Sequence, residues 1–285
     1  MDLSTILILF FFGAIWGSFL NVVALRYDPD RFLFSSQRIG GRSACVSCHR
    51  TLRWFELIPL FSFLIQQGKC RRCHVHLSWR YFVTECISGG IFLFVVVRIS
   101  EFNTTPAALI LLSALWIAVF LLLFLITLID IRFHLIPDEA NILLGFIGIV
   151  LMVAQWLWAQ PVSLLELLVP GPTGVLASHI FAAALAALFF GALILITRGR
   201  GMGMGDVKLA MALGFVFGWP DVVLVIGLAF IIGALWSVAY LARKTKTMKS
   251  EVAFGPFLAA ASAVVFFFGS MIIQWYLAIF TQSIF

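Results

Sequence analysis

Long apolar stretches dominate the chain and decide what it can fold into. Hydrophobic residues make up 62% of its 285 residues and charged residues only 11%, whereas soluble domains carry about a quarter charged residues. A run of roughly 20 apolar residues is long enough to cross a bilayer as a helix. We predict eight spans, the second and sixth of them short: 5–25, 81–98, 106–128, 139–158, 176–197, 206–219, 221–242 and 257–281. The sequence therefore predicts an all-α polytopic membrane protein embedded in the lipid bilayer.

Basic residues are concentrated at alternate ends of these stretches. Of the 19 Lys and Arg residues, all except Arg98 lie in, or at the edge of, the links after the first, third, fifth and seventh stretches. Because cytoplasmic loops carry the excess of basic residues, these links are predicted to be cytoplasmic and both termini to lie outside. Topology explains the net charge of +6, so no nucleic-acid partner is predicted. The first stretch lacks a basic n-region and a cleavage pattern, so we expect it to be retained as a span.

Four of the five cysteines form two C-x2-C pairs in the first basic link, with 21 residues between the pairs. The pairs are Cys45 with Cys48 and Cys70 with Cys73. Two thiolates from each pair can complete a tetrahedral Zn²⁺ site. Two disulfides are the alternative, but disulfides do not persist in the reducing cytoplasm. Four cysteines leave no open coordination position, so the predicted zinc is structural, and Cys86 is expected to be a small buried residue.

A charge in or beside a membrane span is costly and marks a functional site, and we single out four of the acidic residues in such positions. They are Glu85, Asp130, Asp138 and Asp206. Asp138 stands where a helix N-cap belongs, and we prefer that structural role for it. Asp130 ends a span, where the helix dipole disfavours an anion. Asp206 begins a span that runs in the opposite direction, so both acids are expected at the same cytoplasmic edge.

Two carboxylates in a partly dry site share a proton, because they cannot both ionise easily. The ionised carboxylate can deprotonate water while the protonated one polarises a peptide carbonyl, which is the chemistry of aspartyl proteolysis. Glycines directly before Asp206 would let a substrate backbone approach it; the three nearest are Gly201, Gly203 and Gly205. A proton relay in a transporter would use the same acids, so that alternative stays open.

The segment GMGMGDVKL (201–209) resembles the GxGD signature of intramembrane aspartyl proteases, and the whole chain is similar to the type IV prepilin peptidases. Further similar segments are GSFLNVVALR (17–26), WFELIPLFSFLIQQGKCRRC (54–73), LIDIRFHLIPDEAN (128–141) and FGPFLAAAS (254–262). The resemblance implies that Asp130 and Asp206 are the catalytic pair. It implies cleavage of a basic leader from type IV prepilins or type II secretion pseudopilins, at the cytoplasmic face of the bacterial inner membrane.

Many members of that family also methylate the new N-terminal residue with S-adenosylmethionine, so the resemblance implies this second activity and associates Glu85 with it. A peptidase without methyl transfer and a presenilin-like protease are the remaining alternatives. The cysteine pairs argue against the latter, because nothing in that mechanism requires them. We therefore predict three parts: a first transmembrane helix (1–25), a cytoplasmic zinc module (26–80) and a transmembrane peptidase core (81–285).

Overall fold

A computed structural model describes residues 2–33, 35, 41–45, 47–102, 105–158, 172–199, 201–242 and 252–282. Several basic residues used above to predict topology lie outside these ranges: Arg38, Arg200, Arg243, Lys244, Lys246 and Lys249. Within them, regular structure is helical except for two isolated β-bridges near the cysteines. Nine α-helices are present in this part of the chain: α1 Leu3–Leu25, α2 Phe61–Ile65, α3 Trp79–Ser100, α4 Pro106–Phe133, α5 Asp138–Trp158, α6 Pro172–Thr197, α7 Met204–Phe217, α8 Asp221–Ala242 and α9 Gly255–Gln282.

Each of the eight predicted spans corresponds to one helix, namely α1 and α3 to α9. Seven of these helices are long and apolar enough to cross a membrane. The exception is α7, which has 14 residues and is therefore about 21 Å long, shorter than the roughly 30 Å hydrocarbon core. The structure confirms the predicted all-α membrane fold. It also extends α4 to Phe133, past the predicted end of this span at residue 128, so Asp130 lies in the last turn of the helix.

The chain forms two compact units, Met1–Leu121 and Leu122–Phe285, and the boundary falls inside α4. The predicted division at residues 25 and 80 separates a first helix, a zinc module and a peptidase core by their expected functions. It does not follow the two compact units, and it stays a prediction.

In the first unit, α1 and α3 pack with their backbones in close contact. A Cβ atom added at Gly17 of α1 would lie 2.6 Å from the carbonyl oxygen of Thr84, and one added at Gly89 of α3 would lie 2.9 Å from that of Phe10. Small residues at such crossings allow membrane helices to approach without side chains between them. The close crossing brings α1 beside the buried face of α3, which carries Glu85.

In the second unit, the short helix α7 packs against both α5 and α6. A Cβ atom added at Gly148 of α5 would lie 2.9 Å from the backbone of Phe215, and Gly214 of α7 lies directly against the backbone of Ala183 in α6. Leu209 and Leu213 of α7 are fully buried. The packing therefore encloses α7 within the unit, and Asp206 lies in its first turn.

Candidate active site and metal centre

Asp130 lies on the buried side of α4, with 4% of its surface exposed. Its Oδ2 atom accepts a hydrogen bond of 3.0 Å from the backbone N–H of Gly255, the first residue of α9. A Cβ atom at position 255 would lie 2.7 Å from that same oxygen, closer than two such atoms can approach. Only glycine at this position lets the α9 backbone come near enough to hold the carboxylate.

Asp206 is also buried, and it is held by the start of its own helix. Its Oδ2 atom accepts the backbone N–H of Gly203 at 3.2 Å, and its own N–H donates to the Gly203 carbonyl. The carboxylate therefore satisfies one of the free N–H groups at the N-terminus of α7, where the helix dipole favours a negative charge. Asp206 thus has a capping role at the start of α7, in addition to any chemical one.

The loop between α4 and α5 brings the two acids into one neighbourhood. Ile136 of this loop packs against Gly205, which precedes Asp206, and lies beside Gly255, which holds Asp130. The two carboxylates are close enough for their charges to interact. The structure therefore places Asp130 and Asp206 at the same end of the second unit, 76 positions apart in the chain. Their catalytic role stays a prediction.

The three glycines predicted to admit a substrate have distinct local environments. Gly203 is the N-cap of α7, and a Cβ atom at Gly205 would lie 3.1 Å from Ile136. Gly201 lies beside Thr197, and none of the three has a positive φ angle; among the four alternating glycines only Gly199 does, at 72°. Close packing, rather than an unusual backbone conformation, is what favours glycine at position 205. Whether the segment admits a substrate stays a prediction.

An ion pair between Asp138 and Lys208 was not predicted from the sequence. Asp138 is the first helical residue of α5, and the N-cap role preferred for it stays a prediction. Both of its carboxylate oxygens accept from Lys208 Nζ at 2.7 Å. Because the two residues are 70 positions apart, only the packing of α5 on α7 reveals the contact. The ion pair joins the helix that follows Asp130 to the helix that carries Asp206.

Glu85 lies in the first unit, on α3, and is 7% exposed. Its Oε2 atom accepts the backbone N–H of Leu60 at 2.7 Å, and its side chain lies near Ser18 of α1. The predicted methyl-transfer acid is therefore held between α1 and the start of α2. Ser18 belongs to the segment GSFLNVVALR quoted above, but the sequence alone gave no reason to pair it with Glu85.

The two cysteine pairs form two turns with the same hydrogen-bond pattern. In the first, the Cys45 N–H donates to the Arg50 carbonyl and the His49 N–H donates to the Cys45 carbonyl. In the second, Cys70 and His74 repeat these bonds 25 positions later, with Val75 in the place of Arg50. Both histidines have a φ angle of 54°. The sequence repeat is thus a structural repeat, and each turn presents two thiols.

The four sulfur atoms are arranged as a tetrahedral metal would require. Their Sγ atoms all lie within 4.8 Å of one another, and the Sγ atoms of Cys45 and Cys73 are 3.8 Å apart. A tetrahedral zinc with bonds of about 2.3 Å places its sulfur ligands about 3.8 Å apart. The donor set therefore fits zinc. These four cysteines are free thiols. Cys86, which was predicted to be buried, is only half-buried within α3.

Backbone N–H groups in both turns favour the thiolate, the form that binds metals. Those of Cys73 and Arg72 lower the pKa of Cys70 to about 6. Those of Cys48 and Ser47 lower the pKa of Cys45. At Cys73 the Val75 N–H also lowers the pKa, but burial and the neighbouring cysteines outweigh it and raise the pKa to about 11. The turns therefore supply the positions of all four ligands and favour the thiolate at Cys45 and Cys70.

Glu56 stabilises the first of the two turns through hydrogen bonds to residues that follow the cysteine pair. It is buried, and its Oε2 atom accepts from the Arg50 guanidinium at 2.7 Å and from the Arg53 N–H at 2.8 Å. Although burial raises the pKa of this carboxyl, the two donors outweigh burial and hold the pKa below its ordinary value. Arg71 of the second turn lies 5.0 Å from the ring of Phe55, the neighbour of Glu56. Contacts to the segment 54–57 therefore come from both turns.

Comparisons with known proteins find matches to both the N-terminal and the C-terminal part of the chain. Residues 11–99 match the family model described as "Bacterial Peptidase A24 N-terminal domain", and residues 117–238 match the "Type IV leader peptidase family". A protein of Bacillus subtilis (strain 168) is 32% identical over 270 residues, which cover 95% of this chain and 97% of that protein. A protein of Aeromonas salmonicida (strain A449) is 30% identical over 95% of this chain and 93% of its own length.

A third relative, from Pseudomonas aeruginosa, is 28% identical over 96% of this chain and 94% of its own length. All three relatives are named prepilin leader peptidase/N-methyltransferase. No solved structure matches the chain. The similarity to these relatives extends over nearly the whole chain. The chain therefore belongs to the type IV leader peptidase family.

Proposed function

We propose that this protein cleaves the leader peptide from type IV prepilins or type II secretion pseudopilins, with Asp130 and Asp206 as the catalytic pair. The proposal rests on one observation. Two buried carboxylates, from helices distant in the chain, lie at one end of the second unit, close enough for their charges to interact. The three relatives named as prepilin leader peptidases support the substrate class.

The proposed chemistry needs one proton shared by the two acids. The ionised carboxylate removes a proton from a water molecule, whose oxygen attacks the carbonyl carbon of the scissile peptide. The protonated carboxylate donates to the carbonyl oxygen and thereby stabilises the charge that develops there. When the C–N bond breaks, the departing amine takes up a proton from the carboxylate that received the proton of water. Each acid accepts one backbone N–H in the structure, and these bonds hold the carboxylates in place for the reaction.

We further propose that the first unit carries the methyl-transfer activity that the names of the relatives include. S-adenosylmethionine, when bound, supplies the methyl group. The amine of the new N-terminus must lose a proton before its nitrogen can form the N–CH₃ bond. Glu85 is a buried carboxylate, held by the backbone N–H of Leu60, and it suits the binding and deprotonation of that amine.

The cysteine turns are proposed to hold a structural zinc ion through Cys45, Cys48, Cys70 and Cys73. Four thiolates leave no position for a reacting water, so the metal fixes the two turns and takes no part in cleavage. The charge pattern supports a location in the bacterial inner membrane with the cysteine turns and the acid pair facing the cytoplasm.

Incubation of the purified protein with a full-length prepilin, with and without S-adenosylmethionine, tests both activities in one measurement. Intact mass should show loss of the leader under both conditions and a further gain of one methyl group only when the donor is present. Asp206→Asn should abolish the first mass change, and Glu85→Gln should lower methylation more than cleavage. A prepilin that keeps its full mass after incubation with the wild-type protein would refute the peptidase assignment. Cleavage without a methyl gain would leave a peptidase alone.

A further inference from the structure

We propose that Asn141 binds the peptide backbone of the substrate beside the scissile bond, an inference that rests on the proposed peptidase function. The side chain is buried, with 5% of its surface exposed. Neither its Nδ2 nor its Oδ1 atom has a hydrogen-bond partner in the part of the chain that the structure describes. Buried polar atoms are almost always paired in folded proteins, so an unpaired carboxamide calls for a specific explanation.

Asn141 is distinctive among the buried polar side chains of the second unit. Ser178, His179 and Ser262 make hydrogen bonds within the fold. The two aspartates accept backbone N–H groups. Within the described residues of this unit, Asn141 is the one buried side chain whose nitrogen and oxygen both lack a partner. Its carboxamide therefore makes no hydrogen bond that stabilises the described fold.

The helix register directs Asn141 towards Asp206. On α5, Gly145 lies against Ala212 of α7, and Gly148 lies against Phe215, so the two helices run in parallel with a constant offset. Asn141 precedes these glycines by four and seven residues and therefore lies on the same face, level with the start of α7. Helical side chains lean towards the N-terminus of their helix. The Asn141 carboxamide is thereby directed to the end of the unit that holds the acid pair.

The chemistry of the proposed reaction needs such a group. A peptide bond must leave its helix to be cleaved, and the segment around it then loses its internal hydrogen bonds. Within a membrane protein those N–H and C=O groups have little water to replace the lost bonds, so the site itself must supply partners. A carboxamide offers one acceptor and two donors, which match the donor and acceptor of a peptide group. Asn141 can therefore bind an extended substrate backbone beside the aspartates.

Asn141→Leu tests the proposal, because leucine has a similar volume and no polar atom. We expect kcat/KM for prepilin cleavage to fall about tenfold or more, with a thermal midpoint equal to or above that of the wild type, since an unpaired buried group has been removed. Asn21→Leu is the matched control. Asn21 is equally buried, at 5% exposed, and has an unpaired Nδ2 among the described residues, but it lies on α1 in the first unit. We expect its variant to cleave at the wild-type rate. Asn141→Thr, which keeps one polar group, should have an intermediate kcat/KM.

Substrate chemistry then identifies what Asn141 binds. Synthetic prepilin segments in which the amides flanking the scissile bond are replaced by esters, one at a time, remove single N–H donors. One such ester should lower kcat/KM about tenfold in the wild type and cause no further loss in Asn141→Leu, because the two changes remove the same interaction. Three outcomes would each overturn the proposal. The first is that the ester and the Asn141→Leu substitution cause fully multiplicative losses at every position. The others are an unchanged kcat/KM in Asn141→Leu and a loss of activity that follows a lowered thermal midpoint. A wild-type protein that cleaves no prepilin would instead remove the peptidase function itself.

Discussion

The cysteine turns and the acid pair satisfy their polar groups in opposite ways. The turns occupy a short stretch of the chain, and a repeated set of backbone hydrogen bonds, the Glu56 contacts and four converging thiols fix them locally. The acids come from α4 and α7, and in the described structure each carboxylate accepts a single backbone N–H group, from Gly255 or Gly203. A carboxylate can accept several hydrogen bonds, so much of the polar capacity of the acid pair stays available for a substrate and water.

The difference indicates what each region is for. A fully satisfied network of ligands and donors produces rigidity, which suits a structural metal. A sparsely satisfied pair of buried acids keeps its reactivity, at a cost in stability. If this comparison is correct, substitutions in the turns will change metal content and local stability, whereas substitutions around the acids will change reaction rates.

The largest effect is expected from Cys45→Ser or Cys70→Ser. Structural zinc contributes on the order of 10 kcal/mol of apparent binding free energy in small zinc domains, and the loss of one thiolate removes a full ligand. Elemental analysis should show loss of stoichiometric zinc, and hydrogen exchange of residues 41–77 should become faster. Cys86→Ser, which alters the cysteine outside the cluster, should keep the metal. If the wild-type protein contains no stoichiometric zinc, the cysteine turns are not a structural metal site and the contrast with the acid pair fails.

The next largest effect is expected from Gly255→Ala. The new Cβ atom would lie 2.7 Å from Asp130 Oδ2, so the carboxylate must move and lose its N–H partner. A misplacement of about 1 Å lowers catalytic rates about 100-fold, which corresponds to about 2.7 kcal/mol. Prepilin cleavage kinetics should show this loss mainly in kcat.

Gly227→Ala provides the control for that substitution. No heavy atom lies within 4 Å of a Cβ built at this position of α8, so the added methyl group has space. Its cleavage rate should equal that of the wild type. Equal losses in both glycine variants would mean that the position of Asp130 is not what sets the rate.

The smallest effect is expected at the ion pair of Lys208 and Asp138. The two side chains are 44% and 59% exposed, and exposed ion pairs contribute about 1 kcal/mol or less to stability. Lys208→Gln should therefore lower the thermal midpoint only slightly, yet reduce kcat several-fold, because the pair joins the segments that position the two acids. The charge-exchanged variant Lys208→Asp/Asp138→Lys should recover part of kcat. Glu101→Gln, which breaks an exposed ion pair on the first unit, should leave kcat unchanged.

Local patterns in the sequence predicted much of this architecture. Apolar runs predicted every long helix of the described residues, and the spacing of Cys45, Cys48, Cys70 and Cys73 predicted the cysteine cluster, because both signals lie within short segments. The opposite directions of the two spans also predicted that Asp130 and Asp206 would lie at the same end of the molecule, and both lie at one end of the second unit. The sequence could not reveal the Gly255 hydrogen bond or the pairing of Asp138 with Lys208. Those contacts depend on how distant helices pack, and no short segment contains both partners.

Asn141 is a second feature that the sequence alone could not predict. An asparagine near the start of a helix is unremarkable in a sequence, since this residue often occurs near helix ends. Only its burial, and the lack of a partner for both polar atoms within the described structure, distinguish it. Unpaired polar groups are visible only after the fold has assigned every other partner.

The central claim is that Asp130 and Asp206 act as one catalytic unit. Single-turnover cleavage of a prepilin by Asp130→Asn, Asp206→Asn and the double variant tests this claim most directly, with thermal midpoints measured on the same preparations. We predict that each single variant loses at least about 1,000-fold in rate while remaining folded. The double variant should be no slower than the slower single one, because residues that act as a unit have non-additive effects. Substantial cleavage by either single variant, or losses that multiply in the double variant, would contradict the account.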